Sequence, residues 1–331
     1  MLRTACGLSE AGAYPASALL ITRWFPFSQR GRANSIVSLG GRIGNSVALW
    51  LTAGAIALLG SWRPVLWIYG TIGIGLALAT LLIFRDDPSL HPWANDAERE
   101  FIRKGAPPIQ PLRSKSPWLA LFTHRGLWFL NMGTIGMNIG WAFLITWLPT
   151  YLHEVRGLDQ VTASAYVSIA LACSLGGMVF GGWFCDFLTR RFGRRLGRRL
   201  PFLVGGALAA GSYLLCPLLT DPLLIVIACG VVAFATDSVM PAVWALAQDI
   251  GGTHVASTLA WSNMWGNFGA SAVAKLIPMI IGSSWHHADW REVFWICAGG
   301  FVLLGISSLF IDSTKPLADR GGAFKAVGEA V

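Results

Sequence analysis

Charged residues are scarce in this chain of 331 residues. Asp, Glu, Lys and Arg together make up 13% of it, about half the share that is usual in soluble domains. By contrast, 54% of the residues are hydrophobic, and 16 are tryptophan, a residue that favours membrane interfaces. Runs of about 20 nearly uncharged residues recur along the sequence, and a single soluble core cannot accommodate them. The composition therefore predicts an all-α polytopic membrane protein.

Cysteine is also sparse, and its six copies are scattered singly. They show neither the spacing of metal ligands nor the pattern of a disulfide-rich secreted protein. The sequence has no HExxH, GxSxG, CxxC or phosphate-loop motif, and His286 next to His287 is only a weak metal signal. Glycines at 136–140 and 177–181 are interpreted as helix-packing positions. We expect no enzyme activity, no metal site and no cofactor.

Nine apolar segments end at charge clusters or at turns with proline or glycine. A polar stretch at residues 85–125 separates the third segment from the fourth. This divides the chain into a partial three-span bundle at 1–84, a central loop at 85–125, a six-helix bundle at 126–312 and a tail at 313–331. The nine predicted spans are residues 2–22, 33–59, 64–84, 126–152, 161–185, 201–219, 222–248, 256–282 and 291–311.

Basic residues are unequally distributed between the two sides of this arrangement. Of the 25 Lys and Arg, 19 fall in loops on one side and three in loops on the other. Because basic loops are retained in the cytoplasm, the central loop and the C-terminus are predicted to be cytoplasmic, in a multi-pass protein of the inner cell membrane. The net charge of +8 thus reflects topology. We expect a lipid bilayer as surroundings and no nucleic acid partner.

A seven-residue phrase occurs twice: WRPVLWI at residues 62–68 returns as WREVFWI at residues 290–296. The helix before each copy also carries a Gly-Asn pair, at 44–45 and again at 266–267. Repeated helix groups in a very hydrophobic chain are typical of secondary transporters built from duplicated halves.

Arg3 and Glu10 are charged residues inside the first predicted span, where a charge is costly and indicates a functional site. Seven residues make almost two helical turns, so both lie on one face, about 10 Å apart along the axis. Arginine can bind a carboxylate through two parallel hydrogen bonds, and a desolvated Glu can exchange a proton near neutral pH. An organic anion and a proton would meet here; the alternative is that Arg3 only reaches the interface.

Polar residues in later spans are further candidates for substrate binding. Asn263 and Asn267 share a helix face, and their amides suit hydroxyls and carboxylates; Asn267 could instead bond a neighbouring helix. Arg42 lies three residues before Asn45 and would either bind the anion a second time or reach the inner interface.

Asp237 and Lys275 lie on spans that are adjacent in sequence. We predict an internal ion pair between them, which would explain how both charges are tolerated. The alternative is that either one faces a central cavity.

Several motifs together resemble the major facilitator superfamily, specifically its anion:cation symporter branch, which includes galactonate, glucarate, hexuronate, tartrate and phthalate permeases and, more distantly, sialin. The resemblance covers residues 1 to about 312 and names no substrate. Its motifs are GLSEAGAYPA at 7–16, RWFP at 23–26, QRGRA at 29–33, Asp-Pro at 87–88 with His-Pro at 91–92, WLPTYL at 147–152, DIGG at 249–252 and NMWGN at 263–267.

Members of that family have twelve spans, so the resemblance implies that this chain holds spans four to twelve and lacks the first three. It implies substrate binding by Arg3 and Asn263 and proton coupling by Glu10. A further acidic residue used in proton coupling lies on the family's first span and has no counterpart here. Asp186 and Arg190 resemble the loop signature that latches the outward-facing state; the alternative is that this arginine run serves orientation alone.

The sequence therefore predicts a proton-coupled symporter for a small organic anion, a sugar acid or dicarboxylate, that works as a monomer by alternating access with the proton as coupling ion. Two alternatives remain open. One is a truncated membrane protein that does not transport, since the family closes its cavity with spans that are absent here. The other is an antiporter for phosphorylated sugars.

Overall fold

A computed structural model describes residues 2–105, 117–282 and 290–317. Within these ranges the chain is helical and contains no strand. In chain order the helices are α1 (Leu2–Glu10), α2 (Ala13–Trp24), α3 (Arg30–Leu59), α4 (Trp62–Ile83), α5 (Asp96–Gly105), α6 (Trp118–Thr123), α7 (Arg125–Ala142), α8 (Leu148–Thr150), α9 (Gln160–Leu215), α10 (Pro222–Gly251), α11 (Val255–Ile281) and α12 (Trp290–Leu309).

Six segments of the described chain are long and apolar enough to cross a membrane, as predicted for a polytopic protein. The longest holds two predicted spans, 161–185 and 201–219, which meet at Gly193, where φ is 74° and the helix breaks. The identification of 2–22 and 33–59 as two further spans stays a prediction. The six segments are Trp62–Ile83, Arg125–Val155, Thr162–Leu218, Pro222–Gly251, Val255–Ile281 and Trp290–Leu309.

Proline shapes the segment that follows α7. Pro149 has no N–H to donate to the carbonyl of Ile145, and its ring crowds the preceding turn. The chain responds with wider, π-helical turns at Phe143–Trp147 and Tyr151–Val155, on either side of α8. The segment therefore continues from α7 to Val155 with its axis altered at the proline.

Glycines let the long helices approach backbone to backbone. A Cβ on Gly136 of α7 would collide with the carbonyl of Gly300 on α12, and the reverse holds for Gly300. Gly177 and Gly181 of α9 lie in the same way against carbonyls of α10. Such small-residue contacts replace hydrophobic burial as the source of packing in lipid. Both glycine stretches are therefore packing positions, as the sequence predicted.

The first helices of the chain dock on the later ones. Helix α3 packs against α9 and α10, α2 packs against α11, and α4 contacts α3. The apolar side chains of α4 are otherwise exposed, and Val65 is its one buried residue among those described. The docking of α2 and α3 on the later helices creates two of the three polar regions described next, both of which include residues of α3 and α10.

Candidate functional site

The first polar region lies at a helix break beside Glu10. Helix α1 ends at Glu10 and α2 begins at Ala13. The break has a local cause, because Pro15 cannot donate to the carbonyl of Ala11 as the next turn would require. The Glu10 side chain is exposed and accepts a hydrogen bond from Cys6 Sγ at 3.5 Å. Glu10 therefore lies at an interruption of the first predicted span. Interrupted helices of this kind form ion and substrate sites in many transporters.

Two other predicted binding residues are placed only in part. Arg3 lies on α1 and Asn45 on α3, but the side chains of both lie outside the described residues. Their assignment to substrate binding stays a prediction.

The second polar region is an ion pair between α3 and α10. Arg42 Nη2 lies 2.8 Å from Asp237 Oδ1, and the guanidinium also lies over the ring of Trp141 at 4.3 Å from its centroid. The Asp237 side chain is fully buried, whereas that of Arg42 is 30% exposed. Arg42 therefore neutralises a buried carboxylate while part of its own side chain stays exposed.

The predicted pair between Asp237 and Lys275 is wrong. The carboxylate faces α3, where Arg42 binds it, and Lys275 is exposed on α11. Adjacency in sequence placed the two spans side by side, but the facing sides of the helices decide which charges meet.

The two asparagines of α11 share a helix face, as their spacing predicted, and both side chains are exposed. Asn267 Nδ2 donates to the carbonyl of Asn263 at 2.9 Å, so its amide is partly satisfied within its own helix. Between them Gly266 lies against the α7 side chain Asn138, whose Nδ2 would be 2.9 Å from a Cβ at Gly266. Asn263 is exposed, which leaves it accessible to a ligand. The binding roles of both stay predictions.

A third polar region closes the end of the molecule that carries the arginines between residues 190 and 199. Its members come from α3, from both halves of α9 and from α10, and all are buried. We call it the polar seam. It consists of Arg30, Asn34, Asp186, Arg198, Gln248 and Asp249.

In the seam, the carboxylate of Asp186 accepts hydrogen bonds from the first turn of α3. The backbone N–H groups of Gly31 and Arg32 donate to its two carboxylate oxygens at 2.9 and 3.0 Å. These N–H groups have no intrahelical partner, and the positive end of the helix favours an anion there. Gly31 makes the contact possible, because a Cβ would lie 2.5 Å from Asp186 Oδ1 and 2.9 Å from the carbonyl oxygen of Gly182.

Asp249 holds two arginines from opposite sides. Arg30 Nη1 lies 3.1 Å from Oδ1, and Arg198 Nε lies 2.9 Å from Oδ2. Arg198 also donates to the carbonyl of Phe27 at 3.0 Å and contacts Cys185 Sγ at 3.1 Å. With Asp186 nearby, the buried charges of the seam balance. Such burial is stable only while all partners stay in place.

An amide pair completes the seam. Asn34 Nδ2 donates to Gln248 Oε1 at 3.0 Å, and Gln248 Nε2 donates back to Asn34 Oδ1 at 3.0 Å. The same Gln248 nitrogen donates to the carbonyl of Ala18 on α2 at 3.2 Å. The pair thus joins α2 and α3 to α10 with its side-chain polar groups satisfied.

The predicted gate residues separate in the structure. Asp186 lies in the seam, but Arg190 is exposed on α9 and the donors to Asp186 are backbone groups of α3. From the arginine run at 190–199, the residue that lies in the seam is Arg198, eight residues after Arg190 and beyond the turn at Gly193. Arg190 as the partner of Asp186 is therefore corrected: Asp186 accepts its hydrogen bonds from Gly31 and Arg32, and Arg190 is exposed.

The sequence did not assign roles to five of the six seam residues. Two of them, Arg30 and Asp249, lie in the motifs at 29–33 and 249–252, each at the end of a predicted span. A charge inside a family motif at a span end was the available signal. Their mutual contact joins residues 219 positions apart, and no local pattern reports it.

The segment after α12 returns to this end of the molecule. His124 caps α7 by accepting from the N–H of Leu127 at 3.1 Å, and its other ring nitrogen bonds the carbonyl of Lys315 at 3.1 Å. Burial lowers the pKa of His124 and outweighs its backbone hydrogen bonds. Partial burial acts to raise the pKa of Asp312, but hydrogen bonds from Thr314 outweigh it and the pKa is lowered.

The described parts of the chain contain no cluster of side chains typical of a metal site. No group of three or more His, Cys, Asp or Glu side chains there is arranged to hold an ion.

Comparison with known proteins agrees with this architecture. The sequence model of the Major Facilitator Superfamily matches residues 1–274. The relative named "Probable sulfoacetate transporter" from Cupriavidus necator is 26% identical over 320 residues, covering 94% of this chain and 72% of that protein. A "Probable galactarate/D-glucarate transporter" from Bacillus subtilis is 29% identical over 299 residues, covering 86% of this chain and 64% of that protein.

Among solved structures, a proton:xylose symporter of the major facilitator superfamily, bound to 6-bromo-6-deoxy-D-glucose, matches with a TM-score of 0.61 and 18% identity. The match covers 93% of this chain and 69% of that one and concerns the fold alone. The matched family model spans most of the sequence and the helical architecture agrees with it. The chain belongs to the Major Facilitator Superfamily of membrane transporters.

Proposed function

We propose that this chain carries a small organic anion across the bacterial inner membrane together with a proton. The substrate class is a sugar acid, or a related small dicarboxylate or sulfonate, because relatives bear the names of galactarate/D-glucarate and sulfoacetate transporters. The main support from the molecule itself is the position of Glu10, an exposed carboxylate at a helix break within the first predicted span. An ionisable residue inside a membrane span indicates a functional site.

The binding roles follow from chemistry and helix geometry. Arg3 would orient the substrate carboxylate on the face of α1 that also carries Glu10. Asn263 would hydrogen-bond substrate hydroxyls, since its amide offers both donors and an acceptor and its side chain is exposed. Asn267, Asn45 and Arg42 are the remaining proposed contacts.

Alternating access would use the polar seam as its inner gate. The seam joins α2 and α3 to α9 and α10, so closure on this side requires its contacts and opening requires their loss. Residues 1–84 and 126–312 would rock as two units about the loop at 85–125. The excess of basic residues at this end supports a cytoplasmic location for the seam, the central loop and the C-terminus.

The test is uptake of radiolabelled galactarate and D-galactonate by the purified chain in liposomes, with and without an inward proton gradient. Glu10→Gln is expected to abolish uptake driven by the gradient while anion exchange between the two sides persists. Glu98→Gln is the matched control, because Glu98 is exposed on the first turn of α5, away from the apolar segments. Gradient-driven uptake by Glu10→Gln at the unaltered rate would refute the coupling role of Glu10.

A further inference from the structure

The ion pair between Arg42 and Asp237 lies inside the apolar part of the molecule. It links α3, which precedes the central loop at 85–125, to α10, which follows that loop. We propose that the substrate carboxylate displaces Asp237 from Arg42, and that Asp237 then takes up a proton as a second proton-coupling residue. This inference rests on the proposed function and deepens it.

The asymmetry of the pair favours this exchange. Arg42 is reachable, with 30% of its side chain exposed, whereas Asp237 is fully buried. Asp237 Oδ1 accepts from Arg42, and within the described chain Oδ2 has no hydrogen-bond partner. A buried carboxylate with so few bonds is stable as an anion only while its cation stays beside it. The guanidinium is therefore the more accessible of the two groups to an incoming anion.

Among the described residues, the negative charge of Asp237 is neutralised by one cation, Arg42. From α3 the group facing it is the cation Arg42, and from α9 the uncharged hydroxyl of Ser174 lies near enough to interact with the carboxylate as a hydrogen-bond donor. Helix α7 contributes the Trp141 ring over the guanidinium, while the α11 cation Lys275 is exposed and does not pair with it.

Helix α2 adds a titratable hydroxyl near the pair but not on it. The Tyr14 hydroxyl lies beside Gly41, next to Arg42 in sequence, and the Tyr14 ring packs edge-on against Trp244 of α10. No second cation in the described residues replaces Arg42 at the carboxylate of Asp237.

Charge balance then requires a proton. Before the exchange, one guanidinium and one carboxylate give no net charge. After it, the guanidinium pairs with the substrate anion, and a carboxylate left behind would be an uncompensated buried charge. One proton from the aqueous phase, bonded to a carboxylate oxygen of Asp237, restores neutrality. The anion therefore enters this site together with one proton, in addition to the one assigned to Glu10.

Helix α10 is weakened at the same position. Pro241 lies four residues after Asp237 and has no N–H, so the carbonyl of Asp237 lacks its usual helical donor. Sharp bends in helices occur at such prolines. Loss of the bond to Arg42 would thus release α3 from α10 at a point where α10 can bend, which connects substrate binding to the relative motion of the two helix groups.

The experiment is calorimetric titration of the purified chain with galactarate in two buffers of different ionisation enthalpy, which measures the protons taken up per anion bound. Asp237→Asn is expected to take up about one proton fewer than the wild type. Its anion affinity above neutral pH should rise about tenfold or more, because Arg42 no longer holds a competing charged partner. Asp237→Glu keeps a titratable group and should retain the proton uptake.

The possible outcomes separate the two proposals. If the wild type binds neither galactarate, D-galactonate nor sulfoacetate, the proposed function and this inference both fail. If it binds one of them with proton uptake and Asp237→Asn takes up as many protons, this inference alone fails.

Infrared difference spectroscopy of the wild type with galactarate provides a second test, should Asp237→Asn not fold. A protonated carboxyl band that persists in Glu10→Gln and shifts in Asp237→Glu supports the exchange. The absence of such a band overturns it.

Discussion

Replacement of Asp249 by Asn tests whether the polar seam holds the molecule closed at its basic end. The change keeps the size of the side chain and removes the charge that Arg30 and Arg198 share at 3.1 and 2.9 Å. Both arginine side chains are at most 1% exposed, so two cations lose their counter-charge inside the protein. Breaking a buried pair in this way costs about 3–5 kcal/mol.

We expect this loss of free energy to favour opening of the seam over unfolding, because the seam contacts join α3 to α9 and α10, which lie on opposite sides of the central loop in the sequence. A loss of about 3 kcal/mol from the closed state raises the open fraction by roughly 100-fold. Cys185 reports the opening: its side chain is fully buried and contacts Arg198 at 3.1 Å. With the exposed Cys6 and Cys173 replaced by serine, alkylation of Cys185 by a maleimide should accelerate by about that factor.

Two controls distinguish opening of the seam from unfolding. Cys229 is buried on α10 and should stay protected in Asp249→Asn if the later helices remain folded. Asp96→Asn removes an exposed carboxylate on α5 and should leave the alkylation rate of Cys185 as in the wild type. An unchanged Cys185 rate in folded Asp249→Asn would refute the role of the seam in closure.

Three further predictions concern other close contacts. Gly31→Ala places a methyl group 2.5 Å from the seam carboxylate and should open the seam in the same maleimide assay, whereas Gly40→Ala, with nothing within 4 Å, should not. Gly136→Ala should lower the unfolding free energy in detergent by about 1–3 kcal/mol through overpacking against α12, while Gly299→Ala, on an open face, should not lower it. His124 has a pKa below its ordinary 6.5, so the unfolded chain binds more protons and the unfolding free energy should fall as pH drops through 6.5. His124→Asn, an uncharged cap, should weaken that dependence in thermal denaturation at pH 5 to 7; an unchanged slope would contradict this account.

Much of the architecture was predictable because membrane spans are local features of a sequence. The apolar segments, the break near residue 193 and the packing role of glycines 136 and 177 follow from composition and spacing over short distances. Asp186 was singled out through its resemblance to a loop signature of the family, and the structure places it in the polar seam. The segments at 2–22 and 33–59 carry weaker signals because charges and polar residues interrupt them.

The partners of charged residues were not predictable in the same way. Asp237 was paired with Lys275 on the next span in sequence, but its carboxylate meets Arg42, 195 residues earlier. Asp186 and Arg190 were named together as candidates for one latch, but the carboxylate of Asp186 binds the start of α3. Each pairing depends on which sides of two helices face one another, and helical periodicity within one segment does not contain that information.

The central claim, proton-coupled transport of an organic anion, is tested most directly by measuring both fluxes at once. The purified chain is placed in liposomes that contain a pH-sensitive dye, and radiolabelled galactarate, D-galactonate or sulfoacetate is added outside. The account predicts accumulation of at least one of these anions with simultaneous acidification of the lumen, and loss of both signals in Glu10→Gln. Anion entry without any proton movement, or no entry of any of the three, would contradict it.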